Sequence, residues 1–425
     1  MKLKGELMEF RNNFSSLWKF SFFKIAIIVQ IGYIIVSIIL YLTIFYSEND
    51  FIVFYNAGRR ILFDIDNLYF KDSSEFFFRY FPFSAIFYIP FSLLDFNIAF
   101  LAFMFFNLIL NVGICVLMFK IIRLIKKKEK IREENLARYF ALFLGASPQV
   151  NNYILGQNNL LVIFLILLAI YLFIKKKNLK GEFLASVLIG ISISIKPITF
   201  LAVPFLIVLN YNTNQKKFTF NIKKSVIRII GISILLLPNI IFFCILPQLW
   251  EGFLINNFTG GNITELRHSF SITKLILNFL VYFNIPFNQI AILLVLLLFI
   301  GTIGYLIFII SNPEKKSVIY GLTMGILIML LVYFDTWDHH LLILLPLLIL
   351  IIFDLPEDSK IRNKYIKSSV IFFVFLDLVF MGLWHIIKSW FPYNFLPTIF
   401  LILSFYGIAK IRIENKLSES LELRI

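Results

Sequence analysis

The chain has 425 residues, of which 60% are hydrophobic and only 15% charged, and 52 of them are Phe. A soluble protein must face water with polar groups, so this composition excludes a soluble globular domain and implies an integral membrane protein. The formal net charge of +15 would suggest nucleic acid in a soluble chain, but here the Lys and Arg sit in short runs between apolar segments, which is the pattern of membrane topology.

The chain opens with "MKLKGELMEFRNNFSSLWKFSFFK", polar and mixed in charge ahead of a full-length apolar segment. Residues 1–23 are therefore expected to be a retained cytoplasmic tail, with the first span directing insertion. Apolar runs that reach spanning length, or fall short of it where neighbours can shelter them, predict helices near 24–46, 97–123, 137–152, 158–174, 182–195, 197–210, 225–247, 286–310, 317–334, 339–353, 367–386 and 393–410. That makes about twelve crossings. The expected fold is an all-α polytopic bundle, a single membrane domain over 24–410 followed by a second cytoplasmic tail at 411–425. The stretch 81–94, "FPFSAIFYIPFSLL", contains Pro82 and Pro90 and is short for a span, so it is expected to be an interfacial or re-entrant helix within an outer loop covering 47–96. Residues 272–283 are read in the same way.

Placing the N-terminus inside puts all but eight of the 40 Lys and Arg on the cytoplasmic side. The eight are Arg59, Arg60, Lys71, Arg79, Lys196, Arg267, Lys274 and Lys388. Gathered on the same outer side are Asp50, "NNYILGQNN" at 151–159, Lys196 with Pro197, "TGGNITELRHS" at 259–269, "DTWDHH" at 335–340 and His385, a set that holds all four histidines. Polar groups collected at one end of a helical bundle describe a wet cavity open to that side.

Each of these has a plainer reading. Asp50 could be the N-cap of an interfacial helix running through "FIVFYNAGRRIL". The Arg pair could anchor to headgroups. Lys196 could relieve the C-terminal dipole of the helix it follows, or hold a phosphate. Asn151, Asn152, Gln157, Asn158 and Asn159 are too many amides at one span end for capping alone. "DTWDHH" has Asp and His spacings that could bind a metal, but adjacent His339 and His340 would face different sides of a helix, so no metal is assigned. Asp377 lies in mid-helix and is expected to be paired within the bundle. Cys115 and Cys244 fall in apolar segments and read as packed thiols. The patterns "NFT" at 257–259 and "NIT" at 262–264 are short sequons that decide nothing.

The sequence has no Walker motif, GxSxG elbow or HExxH pair, which argues against ATP-driven transport and most hydrolase templates. A carrier would distribute polar residues through the spans, whereas an enzyme acting on a lipid-borne substrate keeps its reacting groups at one interface. If that substrate is a lipid-phosphate-linked sugar, the phosphate is already a leaving group. The protein then supplies cations to hold it, with Lys196, Arg267, Arg79 and His340 available, and a carboxylate to take the acceptor's hydroxyl proton. Asp50 is the first acid on the outer side after the first span. A transporter or flippase of lipid-linked sugars is the alternative.

In order, "NDFIVFYNAGRRILFDIDNLYF", "RYFPFSAIFYIPFSLL", "NNYILGQNNLLVIFLILLA", "LIGISISIKPITFLAVP" and "WDHHLLILLPLL" resemble glycosyltransferase family 87 over about residues 49 to 350. The resemblance implies a GT-C type fold and an inverting transferase that uses a polyprenyl-phosphate sugar donor, mannose being favoured, and a glycolipid or glycan acceptor. It implies Asp50 as catalytic base. Tyr55, Arg59, Tyr69, Tyr80 and Pro82 of the first outer loop match the pattern, as do Gly156, Gln157, Asn158, Lys196, Pro197, His339 and His340. The chain has "YFPF" where consecutive prolines are common in the family. No cofactor, metal or nucleic acid is expected. The expected location is the plasma membrane, with both termini cytoplasmic and the active site on the outer face.

Overall fold

A computed structural model describes residues 16–45, 49–70, 76–126, 131–176, 178–212, 217–259, 269–310, 317–376 and 395–422. Its helices are α1 Ser21–Thr43, α2 Asp50–Phe63, α3 Pro82–Ser92, α4 Phe96–Ile125, α5 Glu133–Leu144, α6 Pro148–Ile154, α7 Asn159–Lys175 and α8 Leu179–Ile195. After a 3-10 helix Pro197–Leu206 and the strands β1 Leu209–Asn212 and β2 Lys217–Phe220 come α9 Ile222–Ile245, α10 Pro247–Leu254, α11 Ile272–Tyr282 and α12 Gln289–Ile310. The chain ends with α13 Ser317–Val332, α14 Leu341–Asp354, α15 Ser368–Val374 and α16 Leu396–Glu422. Arg267, Asp377, His385, Lys71 and Lys388 lie outside the described residues.

Helices α1, α4, α9 and α12 are long and apolar enough to cross a membrane, and α6 with α7, bent by 117°, adds a fifth if the pair is one crossing. The chain is thus an all-α membrane protein, apart from one small hairpin. Among the described residues these four or five are the crossings that length and composition support of the about twelve expected. Of the shorter apolar helices, α14 stands out because every residue from Leu341 to Phe353 is buried. Apolar on all sides, such a helix belongs at the centre of the bundle. By contrast, α1 leaves Ile28, Ile35 and Ile39 exposed, and α12 leaves Val295, Leu298 and Phe299 exposed. Those are surfaces that hydrocarbon, not water, covers.

The expected interfacial helices at 81–94 and 272–283 are α3 and α11. The single helix expected over 137–152 is instead α5 and α6, broken at Gly145–Ser147 because Pro148 starts a new helix at its first turn. The helix expected over 197–210 is also different. Pro197 and Pro204 remove backbone donors, and the segment is a 3-10 helix that gives way to an antiparallel hairpin pairing Leu209 with Phe220 and Asn212 with Lys217. Tyr211 and Phe218 face each other across that hairpin at 4.9 Å between ring centres. Of the helix expected over 367–386, only its start, α15, is described, and α16 runs through residue 411 without a break. Cys115 is buried and Cys244 exposed, both free.

A buried polar tract fixes α6 in place. Tyr153 Oη donates to Gln30 Oε1 of α1 at 3.0 Å and accepts from Asn111 Nδ2 of α4 at 2.8 Å, while Asn111 and Gln149 exchange bonds of 3.2 and 3.1 Å. In an apolar surround each such bond contributes roughly 0.5–2 kcal/mol, because its groups have no water to turn to. The consequence is positional: the turn that follows α6 is held rigidly against α4.

Candidate functional site

Asp50 is the first residue of α2. The cap position belongs to Asn49, whose Oδ1 accepts from Ile52 N at 3.1 Å, so the capping role considered for Asp50 falls to its neighbour. The Asp50 carboxylate is thereby left to reach beyond the helix. The start of α2 is joined to the turn after α6 by Phe51 N donating to Leu155 O at 3.0 Å. Gly156 then adopts φ 61°, and a Cβ on it would lie 2.5 Å from Cβ of Phe51. Both the backbone conformation and the close approach demand glycine. Gln157 follows, with its N donating to Asn152 O at 2.9 Å and its O accepting from Asn107 Nδ2 at 3.4 Å. Its side-chain Nε2 donates to Asp50 Oδ2.

Lys196 reaches the same group from α8. Pro197 forces the residue before it out of the helical region, and Lys196 is extended at φ −146°, ψ 109°. Its side chain is buried and does not turn back onto the helix end. Nζ donates to Gln157 Oε1 at 3.1 Å and to Asn159 Oδ1 at 2.8 Å, and Asn159 Nδ2 in turn donates to Asn152 Oδ1 at 3.1 Å. Nζ also lies 6.0 Å from the centre of the Tyr80 ring, at the limit of a cation–π contact.

The third contribution is the loop before α14. Asn151 Nδ2 of α6 donates to Asp338 Oδ2. His339 and His340 lie in a 3-10 turn, with ring centres 4.4 Å apart, so the two imidazoles are neighbours instead of facing apart as on an α-helix. His340 Nδ1 accepts from Trp337 N at 3.0 Å, which puts the proton of the neutral ring on Nε2. His339 Nδ1 is 3.5 Å from Asp338 Oδ1, too long for a hydrogen bond. Arg79 Nη1 pairs with Asp335 Oδ2, joining the segment before α3 to this loop. Among the described residues, no group of three or more His, Cys, Asp or Glu is arranged to hold a metal.

Burial pushes the Asp50 carboxyl above its usual pKa, against the opposing pull of His339, the Gln157 hydrogen bond, Lys196 and Arg79. Burial brings the Lys196 ammonium down to about 7, with Asp50 working in the other direction. Burial, then the charges of Lys196 and His339, hold His340 well below its usual value and therefore neutral. A proton acceptor of raised affinity thus shares one enclosure with a cation and a neutral N–H donor.

The structure gathers Asp50, Gln157, Lys196, Arg79, Tyr80, His339 and His340 and uses the other expected residues differently. Tyr55 Oη donates to Leu94 O at 2.8 Å and its ring meets Phe96 at 5.2 Å, fastening α2 to the start of α4. Tyr69 Oη donates to Tyr80 O at 2.7 Å, and Asn256 Nδ2 donates to Tyr69 O at 2.9 Å, so Tyr69 braces the loop that carries Tyr80. Asn158 Nδ2 donates to Tyr88 Oη at 2.8 Å, away from Lys196. Arg59 is exposed on α2. Arg267 lies outside the described residues. Asn107, Asp335 and Tyr88 were not anticipated as partners. The available signals were Asn107 itself, an amide inside an otherwise apolar span, and the place of Asp335 at the head of "DTWDHH".

A family model described as Glycosyltransferase family 87 matches residues 77–333, more than half of the chain. The matched span holds Arg79, Tyr80, Gln157, Asn158 and Lys196 but leaves Asp50 before it and His339 and His340 after it, so the contacts above are what tie those three to the rest. No curated protein matches the chain.

Proposed function

The chain belongs to glycosyltransferase family 87 and is a membrane glycosyltransferase, and from that premise we propose that it transfers a sugar from a polyprenyl-phosphate donor to a glycolipid or glycan hydroxyl, with inversion. The favoured sugar is mannose. The observation that carries this reading is the placement of Asp50 and Lys196 on the two ends of the Gln157 amide. A proton acceptor and a cation are then held on either side of one amide, close together without touching through any bond of their own.

In this reading, Lys196, Nε2–H of His340 and Arg79 hold the donor phosphate. The acceptor hydroxyl enters beside Asp50. As its oxygen bonds to the anomeric carbon, its proton passes to the carboxylate, and the bond from that carbon to the phosphate oxygen breaks with its electron pair leaving on polyprenyl phosphate. Attack opposite the leaving group inverts the carbon, by the geometry of inverting glycosidases. A positioned general base contributes about 10²–10⁴-fold. Burial suits Asp50 to the task, since a raised proton affinity strengthens the base, while His339, the Gln157 hydrogen bond, Lys196 and Arg79 oppose the rise. No metal or cofactor enters the scheme.

The same reading places the site on the non-cytoplasmic face of the plasma membrane, in a GT-C type bundle of about twelve crossings with both termini inside. What supports it is that Asp50, Gln157 and Lys196, assigned to one side by the Lys and Arg count, are in contact. The test uses the purified full chain in lipid nanodiscs with radiolabelled polyprenyl-phosphate mannose and a membrane glycolipid extract. Labelled glycolipid is expected from the native chain and not from Asp50→Asn, which should still bind donor. Movement of the donor across a vesicle without product would favour a carrier and overturn the proposal.

A further inference from the structure

Gln157 is the most constrained residue of the site. Its backbone is clamped on both sides by Asn152 and Asn107, it follows a glycine that no other residue can replace without strain, and both ends of its amide are engaged. The network leaves its amide one orientation: flipped, Nε2 would face the Lys196 ammonium and Oε1 the Asp50 carboxylate. We propose that Gln157 is a positioning residue, a spacer whose amide keeps the Asp50 carboxylate and the Lys196 ammonium from closing into a direct ion pair.

This rests on the reading of Asp50 as base and Lys196 as phosphate ligand, and it adds what that reading needs. Opposite charges in a dry site attract strongly, and a lysine on a four-carbon stem can swing to meet a carboxylate. Closed together, the pair would hold the acid's proton affinity too low for a base and occupy the cation that the donor phosphate must find. One amide prevents both. It satisfies each partner with a hydrogen bond while standing between them, and Asn159 draws Lys196 further back with a second bond of 2.8 Å.

The charges that bear on Asp50 come from every side of the site. His339 acts from the turn before α14, Lys196 from the end of α8 and Arg79 from the segment before α3, and the neutral Tyr80 hydroxyl of that same segment feels the Asp50 charge. Asp335 is paired to Arg79, Asp338 stands beside His339, and His340 feels Lys196. Of these, Lys196 is the one that the spacer holds off.

The test is an infrared pH titration of the full chain in nanodiscs, with the Asp50 carboxylic stretch identified by its loss in Asp50→Asn. Two substitutions separate the spacer from a simple hydrogen-bond donor. Gln157→Ala opens the space, so Lys196 should meet Asp50 and the midpoint should fall by about 1–3 pH units. Gln157→Leu fills the space without hydrogen bonds, so the midpoint should rise or stay. A mere donor to the carboxylate predicts a rise in both, and midpoints moving in the same direction would overturn the proposal. Gln157→Ser leaves nearly the same space as alanine and is expected to behave like it, which serves if the alanine chain does not fold. Adding Lys196→Met to Gln157→Ala should abolish the fall; a fall that persists also overturns the proposal. The titration needs no substrate, so an active Asp50→Asn chain would end the base assignment without touching the spacer, and the reverse result would do the opposite.

Discussion

Asp50 and Lys196 bind opposite ends of one amide, the carboxylate accepting from Gln157 Nε2 and the ammonium donating to its Oε1 at 3.1 Å. Burial moves both partners toward neutrality, the acid upward and the base down to about 7. Lys196 therefore changes charge near neutral pH, and Asp50 holds its proton to a higher pH than an ordinary carboxyl.

The rate should accordingly depend on pH in two limbs. Asp50 must be ionised to accept a proton, so kcat/KM falls as pH drops through its raised pKa, at a higher pH than an ordinary carboxylate would give. Lys196 must be charged to hold phosphate, so kcat/KM also falls as pH rises through about 7. Bound phosphate favours the ammonium, and the alkaline limb of kcat should lie higher than that of kcat/KM. In Lys196→Arg the cation cannot be lost, and the alkaline limb should disappear even if the rate is lower. Persistence of that limb in the arginine variant would assign it to another group.

Gly156 offers a test that combines stability with activity. Gly156→Ala places a side chain at φ 61° and 2.5 Å from Cβ of Phe51. The backbone strain alone costs roughly 1–3 kcal/mol, and relief of the clash must push Gln157 away from Asp50. Thermal unfolding of the detergent-purified chain should occur at lower temperature, and transfer by the folded fraction should fall at least about tenfold, given how sharply catalysis depends on position. Native stability and native turnover together would show that the turn has room that its geometry denies.

Asp50, Gln157 and Lys196 were legible in the sequence because a membrane makes polar groups at span ends expensive, and few of them need explaining away. Their contacts were not legible. Gln157 lies 107 residues from Asp50 and 39 from Lys196, and nothing in those spacings says that one amide serves both. The resemblance drew attention to Asn158, yet Asn159 holds Lys196, a choice made by where α7 begins and how it is rotated. Tyr55 and Tyr69 look in sequence like Tyr80, but their hydroxyls are consumed by backbone carbonyls. For the fold, Pro148, Pro197 and Pro204 were the visible signs that two expected helices would break, and the hairpin that follows depends on pairing that hydropathy does not register.

Far from this site, Glu182 of α8 and Arg228 of α9 form a buried pair at 2.8 Å, with Arg228 Nη1 also donating to Leu206 O at 2.9 Å and its guanidinium 4.7 Å above the Phe173 ring. Arg228→Ala leaves the buried Glu182 carboxylate with the more distant Lys224 ammonium, 3.9 Å away, as an ion-pair partner, and should destabilise the protein by up to roughly 3–5 kcal/mol. Replacing both, Glu182→Leu with Arg228→Met, should recover most of that loss. Donor KM should not move in either case, since neither residue approaches Lys196. Chemical unfolding and kinetics on the same preparations would check this, and a changed KM in the stable double variant would mean that the α8–α9 contact reaches the site.

Arg79, the proposed phosphate ligand, already has an anion, since Asp335 occupies its guanidinium. Both side chains are about a third exposed, at 33% and 35%, so water screens the pair and it is worth only ~0.2–1 kcal/mol. A donor phosphate competes with Asp335 for the same hydrogen bonds, and removing the competitor should help the donor bind. Asp335→Asn is therefore expected to lower donor KM by up to about fivefold, the equivalent of that energy, with kcat little changed. Arg79→Ala should raise donor KM, and adding Asp335→Asn to it should bring no improvement, because the asparagine acts only by freeing the arginine. An improvement that survives without Arg79 would mean that Asp335 repels the phosphate directly, and the arginine would then be a brace between the two loops and not a ligand.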